Sequence, residues 1–307
     1  LDRYTLTLAY VGTSGRKLTR VRTPNAGQSS SVGIRLIPGF PTQVIPTLKR
    51  PNLALGAVTV FESAANSNYN ALQASLTRKF SEGIALQVAY NYSHVIDDVS
   101  DIYTLAGSFA VGQDELGRNE GLKSERASAS FDVRHRFTGA VHYNLSTLSN
   151  SKILSGLELA AIATLQTGQP FTVNSSVDVN FDGNLTDRLN TTEGLIISSN
   201  GRSRIKLQPN TSFVSLLAPV DLANPSNGAV GRNTFRSAGI ASLDLAVIKK
   251  LTITDSQSLL LRLEAFNLFN RTHFGVPVRI LESPSFGSSV NTNLSPRTIQ
   301  FALRYQF

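Results

Sequence analysis

Asp178, Asn180 and Asp182 stand two residues apart and run into Gly183, within the stretch DVNFDGNLTD (178–187). Alternate oxygen-bearing side chains ahead of a glycine turn can wrap around a hard cation, and calcium takes about six to eight oxygen ligands. The opening follows the D-x-N-x-D-G pattern, but the twelfth position is Leu189 rather than a bidentate Glu, so Asp187 would have to serve instead. The same residues suit a polar turn, where Asp, Asn and Gly are favoured for local hydrogen bonds and positive φ. Calcium loop and polar turn both stay open on this stretch.

Other reactive residue types are scattered. His94, His135, His142 and His273 have no zinc-like spacing. His135 sits in DVRHRF, where Asp132, Arg134 and Arg136 point to a charge network at the rim of a strand. A hydrolase would need a Ser, a His and an orienting carboxylate or amide in contact. There is no G-x-S-x-G elbow and nothing selects one Ser among many, so enzyme chemistry is not expected. The stretch 168–236 carries Arg202, Arg204, Lys206 and Arg232, which could meet an anionic ligand or stand as solvated loop charge. The net charge is +8, yet the basic residues form no stripe of the kind that grips nucleic acid. Phosphates of lipopolysaccharide are a better match for that charge, with an acidic missing half of the protein as the plain alternative.

The elements that must position these residues are strands. Tyr4, Leu6, Leu8 and Tyr10 alternate with Thr5, Thr7 and Ala9, and Leu72, Ala74 and Leu76 with Gln73, Ser75 and Thr77. Ile84, Leu86, Val88, Tyr90 and Tyr92 continue the pattern over nine residues. Phe137 to Leu145, Leu157 to Leu165, Leu243 to Val247 and Leu259 to Ala265 follow, and Ile299, Phe301, Leu303, Tyr305 and Phe307 close the chain. That makes eight segments, each near the roughly 9–11 residues of a tilted membrane strand. A period of two with one apolar face is expected where one side meets lipid and the other a polar lumen. In the seventh segment Arg262 and Glu264 fall on the polar side, where Arg304 of the last strand is a neighbour to pair with.

Composition agrees. Charged residues make up 16% of the chain, against about a quarter in soluble domains. No run reaches the roughly 18 apolar residues of a membrane helix, so any crossing is by strands. Cys is absent, which removes disulfides and thiolate metal sites. Met is absent too, and Leu1 falls mid-pattern, which predicts a fragment whose signal peptide lies upstream.

The connections alternate in length. Phe80 to Gly83, Ser146 to Gly156 and Thr252 to Gln257 are short, whereas 12–66, 97–125, 168–236 and 271–296 are long. Membrane barrels combine short periplasmic turns with long external loops. With the C-terminus periplasmic, every long connection is extracellular, the longest being 168–236. Tyr69, Phe80, Tyr90, Tyr92, Phe131, Phe266, Phe269 and Phe307 lie near strand ends, as interfacial girdles require.

The terminal segment, with Phe301, Leu303, Tyr305 and a final Phe307, resembles the last strand of Gram-negative outer-membrane barrels, which implies a signal for the barrel-assembly machinery. A wider likeness is carried by YVGTSGRKL (10–18), SNYNALQASLTRKFSEG (67–83), AYNYSHVIDD (89–98), SFDVRHRFTGAVHY (130–143), LQTGQPFTV (165–173), GRNTFRSAGIASLDLAVIKK (231–250), LRLEAFNLFNRTHFG (261–275) and IQFALRYQF (299–307). In this order they resemble the barrel of TonB-dependent outer-membrane receptors of the Oar-like, carboxypeptidase-regulatory-domain-bearing group abundant in Acidobacteria. The resemblance implies an all-β, antiparallel transmembrane barrel of about 22 strands, a plug, and a segment contacting TonB, with residues 1–307 forming its C-terminal part. On that expectation the chain is an open arc of about eight strands in the outer membrane of a Gram-negative bacterium. Its two unpaired edges would be costly in lipid. The implied activity is import of a scarce solute. A structural or adhesive surface barrel and a soluble β-sheet binding module are the alternatives.

Overall fold

In the computed structural model, residues 3–35, 43–56, 58–100, 122–148, 151–180, 182, 184, 187–199, 201–220 and 226–307 are described. Gly183 of the candidate calcium loop and most of the 97–125 connection lie outside them.

The protein is built on one antiparallel sheet. Its long strands are β1 (Tyr4–Arg22), β2 (Val60–Ser81), β3 (Ile84–Asp97), β4 (His135–Asn144), β5 (Leu157–Gln166), β6 (Ile240–Thr252), β7 (Ser258–Phe266) and β8 (Thr298–Gln306). Each pairs with the next in chain order, and the short strand Ala127–Ser128 adds to the end of β3. Among the described residues nothing pairs β1 with β8, so the sheet is open.

Register carries the two-residue alternation from strand to strand. Leu6 lies opposite Leu76, Leu76 opposite Val88, Val88 opposite Gly139 and Gly139 opposite Ala163. Ala163 then meets Leu243, Leu245 meets Ala265, and Ala265 meets Ile299. A slip of one residue anywhere would move a strand's apolar set to the other face. The result is one apolar face across the whole sheet, and it is bare: Leu6, Leu8, Tyr10, Ile299, Phe301 and Leu303 are each more than 60% exposed. Soluble proteins rarely leave so wide an apolar surface uncovered.

Two cations interrupt that face, both at the end with the short connections. Arg78 packs over the Tyr4 ring, 5.6 Å from its centroid, and donates to the Ser81 carbonyl. Lys249 sends Nζ to the carbonyls of Ile153 and Ser155 in the β4–β5 connection. Each lays its aliphatic stem on the apolar surface and carries its charge to the edge, as long cationic side chains do at an interface. Of the aromatics assigned to girdles, Tyr69 and Phe266 fall by register on the polar side instead, opposite Val95 and Thr298.

The tightest connection is the Glu82–Gly83 turn between β2 and β3. Both residues have positive φ, 53° and 81°. That is the geometry of a two-residue hairpin turn, and a Cβ at Gly83 would run into Thr147.

The long connections depart from the expectation of loops. Much of 12–66 is strand, because β1 and β2 continue as a ribbon through Arg22 and Val60, with a register shift between Gly15 and Leu18. The apolar alternation stops there while the ladder does not, so periodicity could not reveal it. Arg20 and Arg22 both reach Glu62 across this ribbon, at 3.1 and 2.9 Å. A short hairpin, Gln28–Arg35 with Gln43–Lys49, extends the same connection.

The buried core lies off the sheet. Phe171, Val173, Leu189, Leu195, Ile205, Leu216, Phe235 and Leu281 pack into one cluster drawn from 168–236 and 271–296. Two small ladders hold it, Pro170–Phe171 with Phe235–Arg236 and Leu195–Ile197 with Ile205–Leu207. Fully burying one such side chain contributes about 1.5–3 kcal/mol. These connections therefore form a compact cap at the end of the sheet opposite the short turns.

Candidate functional site

Three surfaces of the molecule can act: the cap, the polar face and the bare apolar face.

Buried ion pairs tie the cap to the strand ends. Arg232, 3% exposed, pairs with the Asp97 carboxylate. It also donates to the Asp97 carbonyl at 2.7 Å, the Glu125 carbonyl at 2.8 Å and Ser100 Oγ at 2.9 Å. Arg188 meets Glu125 at 2.5 Å with both side chains buried. Arg236 donates to Asp132 at 2.8 Å, and Asp132 also receives Arg134 at 3.6 Å. Burying charges is tolerated only when they are paired; each of these acids has an arginine partner, while Nε and Nη1 of Arg188 are buried without a hydrogen bond. The arginines fix the β3–β4 and β5–β6 connections into one body.

The candidate ligand-loop residues divide accordingly. Arg232 and Arg204 are neither solvated charges nor free to meet a ligand. Arg204 is buried and gives Nε and Nη2 to the Arg236 carbonyl, and that burial pushes its guanidinium below its ordinary value. Arg202 donates to the Ser289 carbonyl from an exposed position, and Lys206 is exposed on its short strand.

The candidate calcium residues come together as a turn. Asp178 Oδ1 and Asn180 Oδ1 both accept from the Asp182 amide at 3.1 Å, and Asp182 Oδ1 accepts from the Asn184 amide at 2.7 Å. Asp187 Oδ2 accepts from the Val179 amide at 2.9 Å, between Asp178 and Asn180. Asn180 Nδ2 donates to Asn227 Oδ1. This is how Asx side chains close a polar turn. Among the described residues no three His, Asp or Glu side chains converge.

The histidines stay apart. His94 meets Ser128, His135 meets the Tyr90 hydroxyl at 2.8 Å, His142 meets Glu158 at 3.0 Å, and His273 donates Nε2–H to the Ala241 carbonyl. The DVRHRF network is real in part: Asp132 and Arg134 pair at the cap, whereas His135 turns to the apolar face beside Tyr90 and Tyr92. Arg136 falls on the polar face.

On the polar face, Glu264 takes its partner from its own strand, Arg262 at 2.5 Å. Arg304 lies opposite Leu260 rather than Glu264, correcting the expected pairing. Asp244, from the same face of β6, accepts from the Asn267 amide at 2.7 Å and so anchors the exit of β7. Phe301, Leu303 and Tyr305 of the candidate assembly signal lie bare on the apolar face, and Phe307 is 92% exposed at the end of the chain.

Of the buried acids, Asp132 belongs to the expected DVRHRF network, whereas Asp97 and Glu125 were missed in the sequence. The available signal was apolar residues such as Phe171, Leu189, Ile205 and Leu216 inside a supposed polar loop, since a loop with a core must also satisfy its buried charges.

Residues 2–300 match the outer membrane beta barrel domain family. Among solved structures, P. aeruginosa FpvA bound to iron and a heterologous pyoverdine is similar at 12% identity and TM-score 0.40, over 100% of this chain and 25% of that one. The outer membrane transporter YddB from Escherichia coli is similar at 9% identity and TM-score 0.45, over 99% and 30%. The chain thus spans between a quarter and a third of the length of these structures. Comparison with curated proteins finds no match. A bare apolar face is what lipid requires of a barrel wall, and with the family match over nearly its whole length the chain belongs to the outer membrane beta barrel domain family, with its place in the outer membrane.

Proposed function

We propose that the chain is the C-terminal wall of a TonB-dependent receptor of the Oar-like group, whose barrel of about 22 strands binds and imports a scarce solute. The observation that carries the reading is the open sheet: β1 and β8 present free edges, and free backbone groups are not tolerated in lipid. Further strands must therefore complete the wall. Short connections lie at one end of the sheet and the cap at the other. With the C-terminus periplasmic, the cap is extracellular and stands where a solute would first be met. The polar face then lines the lumen, and TonB engages a part of the protein beyond these strands. The reading assigns binding and passage to the chain, not catalysis.

The test is accumulation of a labelled panel, ferric siderophore, cyanocobalamin, oligosaccharide and peptide, in cells with and without the receptor and with and without TonB. Uptake of one member that needs both supports the reading. No energised uptake of any member, with binding of cells or matrix at the surface retained, would replace it with the adhesive alternative, for which a rigid external cap is equally suited.

A further inference from the structure

We propose that Arg136 is the centre of an oxyanion-binding site on the polar face, taking a phosphate or carboxylate group of a solute. The inference deepens the transport reading and rests on it for the route by which a solute arrives. Arg136 is exposed on β4, and among the described residues its side chain has neither an ion pair nor a hydrogen bond. It differs in this from Arg134 two residues away, which shares Asp132, and from Arg262 on the same face, which holds Glu264.

Its surroundings are uncharged, a mixture of polar side chains and alanines. Asn91 of β3 lies directly opposite on one side and Gln166 of β5 on the other. Arg136 lines a depression of about 250 Å³ together with Thr7, Gln73, Ser75, Asn91 and Thr138, with three alanines and Tyr90 completing the wall. Thus one guanidinium faces amides and hydroxyls with no carboxylate among them. Asn91 Nδ2 donates to Ser93 Oγ, while Asn91 Oδ1 is shielded and has no partner. Arg presents a planar fork that meets two oxygens of a phosphate or carboxylate at once. The depression has the volume for such a group and its first waters, not for a whole large solute. It would hold the charged end of one.

The experiment uses the full receptor, purified from outer membranes in detergent and free of phosphate. Inorganic phosphate and, separately, acetate are titrated and followed by line broadening of the 31P and 13C resonances. Saturable binding of either, weakened at least tenfold by Arg136→Gln and less by Arg136→Lys, is expected, with Lys152→Gln in the β4–β5 connection leaving it unchanged. Phosphate without acetate assigns phosphorylated solutes, and acetate alike assigns carboxylates. Wild-type affinity in Arg136→Gln, equal loss in Lys152→Gln, or no saturable binding in the wild type would overturn the proposal. Arg136→Lys, with the same heat-modifiable mobility as the wild type, guards against misfolding. If the uptake panel fails while this binding and its loss persist, the transport reading falls and the anion site stands.

Discussion

Replacing Arg232 by Met should release the cap without unfolding the wall. Arg232 is buried and makes four contacts, with the Asp97 carboxylate, the Asp97 and Glu125 carbonyls and Ser100 Oγ. Met has comparable length and no donor, so packing is largely kept while Asp97, 1% exposed, is left as a buried charge without its partner. Breaking a buried pair from one side costs about 3–5 kcal/mol, most of it the stranded charge. That corresponds to a cap that opens about 150- to 5,000-fold more often. Hydrogen exchange of the full protein in detergent reads it directly, because the Arg188 amide donates to Asn227 and the Val230 amide to Leu189 within the cap. Protection there should fall by that factor while amides of β4 and β5 keep theirs. Adding Asp97→Asn to the Met variant should recover part of the loss, since the stranded charge is removed. Unchanged protection at Arg188 and Val230 in the single variant would refute the reasoning that this pair holds the cap to the sheet.

Three further outcomes are expected. Phe171→Ala, which empties a 2% exposed position against Phe235, should destabilise the cap by about 3–5 kcal/mol and expose the Leu195–Leu207 hairpin to protease before the wall is cut. Phe301→Arg, on the bare face of β8, should lower folding stability in bilayers by about 2–4 kcal/mol in a urea titration, whereas Ala302→Arg on the polar face should change it little. Glu82 accepts a hydrogen bond from Arg3, and that bond and the Arg3 charge hold its carboxyl below its ordinary value. A depressed carboxylate stabilises fully above its unfolded pKa, near about 4.3, and loses that contribution as pH falls through the folded value. Protection of the Lys79 amide, which donates to the Arg3 carbonyl, should therefore decline in acid after correction for intrinsic exchange, and Glu82→Gln should abolish the pH dependence.

The wall was legible in the chain because its chemistry is periodic. Leu6, Leu76, Val88 and Leu243 sit on one face since every second residue must, and register then joins them across strands. The cap was illegible for the converse reason. Its core takes Phe171 and Ile205 from strands of two and three residues, Leu216 from a single 3-10 turn and Leu189 from irregular backbone, all too short to show a period. The charges it buries find partners more than 60 residues away, as Arg188 does with Glu125 and Arg232 with Asp97. Spacing along the sequence holds no record of such pairs. The ribbon of β1 and β2 was hidden for a third reason: beyond the apolar belt both faces are polar, so a strand there reads as a loop. In DVRHRF the residue types gave away a network, but only the pleat decides that Asp132 and Arg134 join it while His135 and Arg136 turn to opposite faces.

The most direct measurement is a nitroxide scan of β8 in the full protein reconstituted in bilayers, these 307 residues containing no Cys and any Cys elsewhere being replaced by Ser. Single Cys substitutions at 299 through 305 would carry the label, and collisions with oxygen and with a water-soluble nickel complex would be recorded. The account predicts high oxygen access at 299, 301, 303 and 305 and high nickel access at 300, 302 and 304, in strict alternation. Equal nickel access at all seven positions would mean that Ile299, Phe301, Leu303 and Tyr305 face water, and would contradict a lipid-facing wall.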